Sequence, residues 1–324
     1  MGIKNFTKFL EKYAPNSIKH TKITDYIGET IGIDANLLLY KLIYGIRVNG
    51  YDIMNGKIIV THIHSLLLKL LAFRRYNIYP VFVFDTGAPE IKYKTFEERK
   101  RVKQKLIETY QVATTDKGKR IYYYVKSDIT DQEVQDCKDL IKIFGYNIVD
   151  AKEEADAQLA QLYKNRSVTS IASDDMDILL FGGGILLKNF TINEHKKIKE
   201  INLSDVLDEA NLTMDELISL GILLGTDYCD NKRVSPTKAY QLVKKYEHIN
   251  EIESIGHNCD NAIDYFKNPP VNDIHTVDEI SDLKTRELFD FLKKFNFSEK
   301  YIGKIFKSVG EIEVLASKPG SNCN

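Results

Sequence analysis

Pro80-Val81-Phe82-Val83-Phe84-Asp85 is a β-branched and aromatic run closed by a carboxylate. A short run that is apolar at nearly every position, rather than at alternate ones, reads as a strand buried on both faces, as in a parallel sheet. Working outward, similar runs occur at Thr30 to Ile33, Tyr146 to Val149 and Val168 to Ala172, separated by longer helical patterns. That alternation predicts an α/β fold built on a central, mostly parallel sheet flanked by helices.

Three regions depart from plain alternation. Residues 91 to 130 are too long for a simple crossover and too polar for core. They hold Lys92, Lys94, Arg99, Lys100, Arg101, Lys103 and Lys105 in a helical pattern, then a break at Gly118 and an aromatic cluster at Tyr122, Tyr123 and Tyr124. Residues 182 to 203 open with three glycines and carry two strand-like runs, Ile185 to Phe190 and Lys197 to Ile201, which extend the sheet. Beyond residue 212 the pattern is helical almost to the end, with a break at Pro269-Pro270.

Composition narrows the class further. With 324 residues and 43% hydrophobic content the chain can bury a large core and is not disordered. Its longest apolar stretches, such as Leu66 to Phe73 and Ile218 to Leu224, fall short of the roughly 18 residues a membrane span needs, and no signal-peptide pattern opens it. An intracellular protein is expected. Cys137, Cys229, Cys259 and Cys323 show no CxxC spacing and read as reduced thiols without a role. The net charge of −1 conceals the basic stretch after Asp85, so local binding of nucleic acid is compatible with it.

In open α/β sheets ligands bind beyond the carboxyl ends of the strands, so acids placed there carry the most information. Asp34 follows the first run and Asp85 the second. Glu154 and Asp156 follow the third as a helix opens, and Asp175 and Asp177 follow the fourth. Asp227 joins from the turn Gly225-Thr226-Asp227-Tyr228 after an apolar helix. One Asp after a strand is commonly a turn or cap residue. Seven acids at one sheet edge repel one another, and a fold tolerates them when cations neutralise them. All-oxygen donors favour Mg²⁺ or Mn²⁺ over zinc. Two such ions about 3.5–4 Å apart suit in-line attack on a phosphodiester. Lys92 and Arg99, seven residues apart, then present two charges to one phosphate.

These residues resemble the flap endonucleases, within the wider group of structure-specific 5′ nucleases. The likeness runs from Met1-Gly2-Ile3-Lys4-Asn5-Phe6 through Ile33-Asp34-Ala35-Asn36, Val81 to Asp85, Glu154-Ala155-Asp156-Ala157 and Asp174-Asp175-Met176-Asp177 to Leu223-Leu224-Gly225-Thr226-Asp227-Tyr228-Cys229. It implies a PIN-like nuclease core (residues 1–90 and 131–228), an inserted helical arch (91–130) and a C-terminal helical duplex-binding region (229–324). It further implies metal ligation of two Mg²⁺ by Asp34, Asp85, Glu154, Asp156, Asp175, Asp177 and Asp227, with Mn²⁺ able to substitute. Lys92 and Arg99 would steer the scissile phosphate. Tyr40 would stack on a base, and Gly2 and Arg47, the latter in the loop after Tyr40's helix, would contact DNA. The substrate implied is branched DNA with a 5′ flap, cut by a monomer that also acts as a 5′–3′ exonuclease.

Three positions depart from the family's pattern. Asp156 stands where Glu is usual. Arg233-Val234-Ser235-Pro236-Thr237-Lys238 lacks the Gly-x-Gly turn that brings backbone amides to phosphates and a potassium ion, so Lys232, Arg233, Lys238, Lys244 and Lys245 are expected to supply the charge instead. No sliding-clamp peptide closes the chain, and a clamp partner is not expected. Four-way junctions, double-strand break ends, or DNA binding without catalysis are the competing readings.

Overall fold

A computed structural model describes residues 2–230, 232–246, 251–252 and 259–316, with side chains to residue 310. Its strands are β1 (Ile18–Thr21), β2 (Thr30–Asp34), β3 (Met54–Asn55), β4 (Ile58–Ile59), β5 (Tyr79–Phe84), β6 (Asn147–Asp150), β7 (Ser170–Ala172), β8 (Ile185–Lys188) and β9 (Ile198–Asn202). Its helices are α1 (Phe6–Tyr13), α2 (Ala35–Arg47), α3 (Thr61–Arg75), α4 (Tyr93–Tyr110), α5 (Asp116–Lys126), α6 (Asp131–Ile143), α7 (Ala155–Lys164), α8 (Asp177–Leu180), α9 (Leu203–Ala210), α10 (Met214–Leu224), α11 (Pro236–Lys245), α12 (Asp260–Lys267), α13 (Thr285–Lys294) and α14 (Glu299–Ala316).

The central sheet runs β1-β9-β8-β7-β2-β5-β6. β8, β7, β2, β5 and β6 are parallel, and β9 and β1 add an antiparallel edge. Val81, Phe82, Val83 and Phe84 are all buried because the sheet is covered on both faces. One apolar layer is built on α1, α7, α10 and α12 and the other on α2, α3, α6 and α13. β1 was not expected: Ile18-Lys19-His20-Thr21 is polar at its centre, and an edge strand need bury only part of itself. The two-residue pairing of β3 with β4 is likewise too short to show a period.

From β2 the chain moves to β5 and β6 on one side, then returns to β7 and β8 on the other. β2 and β7 therefore flank the switch in strand order, where a crevice opens in this class of sheet. α4 and α5 stand beside that crevice. α4 buries no residue at all, which explains its dense charge. Gly118, expected to interrupt a helix, instead lies in the first turn of α5, its N–H donating to the Thr115 cap at 3.2 Å. Among the described residues no helix is long and apolar enough to cross a membrane.

Candidate metal centre and nucleic-acid interface

Local rules set each acid in place. Asp34 ends β2 and caps α2, its Oδ1 accepting from the Leu37 N–H at 2.9 Å while Oδ2 accepts from Ser173 Oγ at 2.9 Å. Asp85 Oδ1 accepts from the Ala155 N–H at 2.7 Å, tying the end of β5 to the first turn of α7. Glu154 is the N-cap residue of α7 and Asp156 lies in its first turn. Asp175 Oδ1 accepts from the Asp177 N–H at 3.1 Å. Asp227 follows α10, where Thr95 Oγ1 of α4 donates to its carbonyl at 3.3 Å.

Asp34, Asp85, Glu154, Asp156, Asp175 and Asp227 line one cavity of about 260 Å³ together with Tyr40, Lys92, Phe96 and Arg99. Asp177 is 1% exposed and sits behind that wall. Burial, with Asp85 and Asp175 adding repulsion, lifts the Asp34 pKa to about 7. Burial and then Asp175 push Asp156 and Asp177 well above the usual carboxylate range, and burial raises Asp85. Among the described residues no three acids close on one point as a finished ion cage. The donor chemistry nevertheless fits divalent cations: Asp156 Oδ1 and Asp177 Oδ1 are buried carboxylate oxygens with no hydrogen-bond partner, beside further carboxylates and no His or Cys.

Lys92 closes a 3₁₀ turn just before α4, and Arg99 lies two turns along that helix. The Lys92 ammonium pairs with Glu154 Oε1 and lies 4.0 Å above the ring centroid of Tyr228. Burial works against its charge but is outweighed by Glu154, Asp177 and Asp156, so its pKa is raised. Arg99 pairs with Asp227 Oδ2. The two cations thus meet different walls of the cavity.

Tyr228 is a residue that sequence reasoning passed over. Its buried hydroxyl donates to Glu154 Oε2 at 2.7 Å, and its ring packs on Phe181, Tyr265 and Phe266. Its position next to Asp227 was the available signal, though an aromatic there reads equally as core. Ser173, which bonds Asp34, likewise carries no signature of its own.

The remaining expected contacts divide. Tyr40 is 42% exposed at the cavity, its hydroxyl 2.9 Å from that of Tyr124 on α5. Gly2 has φ +84°, and a Cβ there would come within 2.2 Å of Asp175 Oδ1, so only glycine lets the N-terminal segment lie against this acid. Lys232, Arg233, Lys238, Lys244 and Lys245 are exposed around α11, with Lys244 paired to Glu216 at 2.9 Å. Arg47 corrects the expectation. It is the last residue of α2 rather than part of a loop and is only 3% exposed, its guanidinium turned inward to Asp52 and Glu133. Asp52, just beyond the helix, and Glu133, from α6, together bury the charge.

The cysteines bring a second correction. Cys229 and Cys259 form a disulfide across 30 residues, which links the Asp227 turn to α12. Spacing along the chain did not reveal a pair that only the fold brings together. Cys137 is free and buried, and Cys323 lies outside the described residues, as does the segment 317–324 where a clamp peptide would stand.

The acid-lined crevice at the strand-order switch, overlooked by a cationic helix pair, falls within the reach of two family models of the XPG class that match the chain. The XPG N-terminal domain covers residues 1–106 and the XPG I-region residues 145–227. Flap endonuclease 1 of Salmo salar is 32% identical over 99% of this chain and 88% of its own length. That of Theileria parva is 35% identical over 95% of this chain. The chain belongs to the flap endonuclease 1 family. It spans 66% of the Theileria parva protein and 64% of the Theileria annulata one. Flap endonuclease-1 from Methanococcus jannaschii superposes with a TM-score of 0.72 at 24% identity, over 93% of this chain and 97% of that one. The catalytic core of Rad2 in complex with DNA substrate gives 0.71 at 20% identity, over 97% and 99%. Both structures share the fold.

Proposed function

We propose that the protein is a metal-dependent, structure-specific nuclease that cuts 5′ flaps at single-strand/duplex junctions, with 5′–3′ exonuclease activity from the same site. The observation that carries this reading is the meeting of six acids with Lys92 and Arg99 around one cavity beside α4 and α5. Asp34, Asp85, Glu154, Asp156, Asp175, Asp177 and Asp227 would hold two Mg²⁺, or Mn²⁺ in their place. When bound, such ions supply the Lewis acidity for attack of water on phosphorus.

The chain's own residues do the rest. Asp34 and Asp85, fixed by the Leu37 and Ala155 amides, hold their carboxylates at the ends of adjacent strands without a search through rotamers. Lys92 and Arg99 exchange their carboxylate partners for the scissile phosphate and balance its charge in the transition state. Tyr40 offers its exposed ring to a base at the cavity mouth. Exposed apolar side chains of Tyr51, Met54, Ile58 and Ile59 on and beside the β3–β4 hairpin suit the bare face of a terminal base pair, a surface that junctions expose and continuous duplex does not. Lys232, Arg233, Lys238, Lys244 and Lys245 would grip duplex phosphates without reading sequence. Residues 1–90 and 131–228 are then the nuclease core, 91–130 the arch and 229–324 the duplex-binding region of a monomer.

The test is cleavage of 5′-labelled double-flap, nicked, gapped, four-way-junction and single-stranded DNA in Mg²⁺ or chelator, with an Asp175→Ala/Asp177→Ala variant as control. Cutting at the flap base, lost in chelator and in the variant, is the expected result. Preference for four-way junctions would replace the substrate, and binding without cleavage in either metal would remove the catalytic reading.

A further inference from the structure

Arg47, itself buried, spends its guanidinium on three partners, none of them a metal-site acid. Its Nε donates to Asp52 Oδ1 at 3.0 Å, Nη2 to Glu133 Oε1 at 2.6 Å and Nη1 to the Asp128 carbonyl at 3.1 Å. Asp52 in turn accepts from Thr61 Oγ1 at 2.6 Å and, through Oδ2, from the hydroxyl of Tyr123. Tyr123 belongs to α5, Asp128 to the link between α5 and α6, and Glu133 to the first turn of α6. One guanidinium and one carboxylate therefore join the end of α2, the start of α3, α5 and the start of α6. The three acceptors are reached from three different nitrogens of one planar fork, a spread that the single ammonium of lysine does not reproduce.

Two neighbouring features reinforce the attachment. Gly50 has φ +86°, and a Cβ there would fall 2.9 Å from Arg120 of α5, so the backbone after α2 lies directly against this helix. Tyr124 meets Tyr40 hydroxyl to hydroxyl and presents an edge to the Tyr44 ring with centroids 5.1 Å apart. α5 is thus seated on α2, while α4 leans to the opposite side of the cavity through Thr95 and Arg99.

The geometry points to Arg47, Asp52 and Tyr123 as positioning residues: a buried clasp that fixes α5 on the nuclease body and so holds α4, with Arg99, over the cavity. This rests on the nuclease reading for its kinetic consequence and on the structure alone for its mechanical one. It also assigns Arg47 a task that needs no contact with DNA.

Tyr123→Phe carries the test, because it removes a single hydroxyl and leaves Arg47, Asp52, Thr61 and Glu133 paired. Arg47→Ala would strand two buried carboxylates and report on folding instead. The first readout is limited trypsin digestion of the folded protein, scored at the many Lys and Arg of residues 94–126. Cutting there should speed up about tenfold, the loss expected for one charge-assisted hydrogen bond, with the melting temperature essentially unchanged. The second is the single-turnover rate on a 5′ flap at saturating enzyme, which should fall while the flap Kd stays constant. Trypsin sensitivity equal to the parent's would overturn the clasp. Faster digestion with an unchanged single-turnover rate, or a weakened Kd at an unchanged rate, would overturn its positioning role. Digestion needs no DNA cleavage, so failure here and failure of the nuclease reading are separable.

Discussion

Replacing Asp34 by Asn should make the metal-free protein more stable near pH 8 while abolishing cleavage. Burial, with help from Asp85 and Asp175, lifts this carboxyl from its ordinary 3.8 to about 7. A value raised by folding means that stability is fully present below the unfolded pKa and is lost as pH rises through about 7. Each tenfold change in proton affinity is 1.36 kcal/mol, so ionising Asp34 costs the folded state at most about 4 kcal/mol. Its acidic neighbours relax part of that by taking up protons themselves, and about 2 kcal/mol is the expected gain from one substitution. Asn keeps an acceptor for the Leu37 N–H, and Ser173 can turn its hydroxyl to accept from the new amide. In chelator near pH 8 the variant should therefore melt roughly 3–6 °C above the parent. The gap should narrow as pH falls below about 7 and close only near the ordinary value of 3.8, because between the two the unfolded carboxyl is ionised while the folded one holds its proton. Added Mg²⁺ should raise the parent's melting temperature more than the variant's. A variant less stable than its parent near pH 8 without metal, or a gap that does not narrow as pH falls from about 8 towards about 4, would refute the repulsion argument.

Lys92→Ala and Arg99→Ala should each slow single-turnover flap cleavage by about 10²–10³ while altering flap Kd only a few-fold, the signature of the transition-state role proposed for them; lost binding at an undiminished rate would remove both from that role. Tyr228→Phe deletes the hydroxyl that holds Glu154 but keeps the ring beneath Lys92. It should slow the same step at least tenfold, the value of one hydrogen bond to a charged group. Tyr228→Leu should slow it further and lower the melting temperature through the cavity it leaves. Cys259→Ser opens a 30-residue loop and should reduce stability in denaturant by about 3–4 kcal/mol. Reductant should reproduce that loss in the parent and add nothing to the variant.

The parallel strands and the acids at their ends were legible because both obey local rules. A strand apolar at every position announces burial on two faces, and an acid after it caps the next helix, as Asp34 does for α2. The unread parts depend on partners far along the chain. Arg47 is an ordinary surface cation until Glu133, 86 residues away, meets it, and α2 runs to Arg47 on the same face as the buried Ile43. Tyr228 is a core aromatic by every local measure, and only Glu154 and Lys92 give it another use. Cys229 and Cys259 are neighbours only after α10 and α12 pack. β1 escaped notice because it pairs at the sheet's edge, where Lys19 and His20 remain in water.

The acids and the helix pair above them are not separable designs. Buried carboxylates facing one another are unfavourable, and two of these, Glu154 and Asp227, meet cations that belong to the α4 side of the cavity. The charge that makes the crevice attractive to divalent ions therefore also draws Lys92 and Arg99 down upon it, at the positions from which a phosphate would later take them. α4 contributes no buried residue of its own to hold this arrangement. Its placement comes from those ion pairs and the Thr95 hydrogen bond on one side and from α5 on the other. Were a phosphate to claim the two cations, Thr95 and the α5 attachment would remain to keep them in place, and Tyr123, Asp52 and Arg47 are the buried part of that attachment. A cluster chosen for its negative charge thus requires, some distance from the chemistry, a buried arginine that touches none of it.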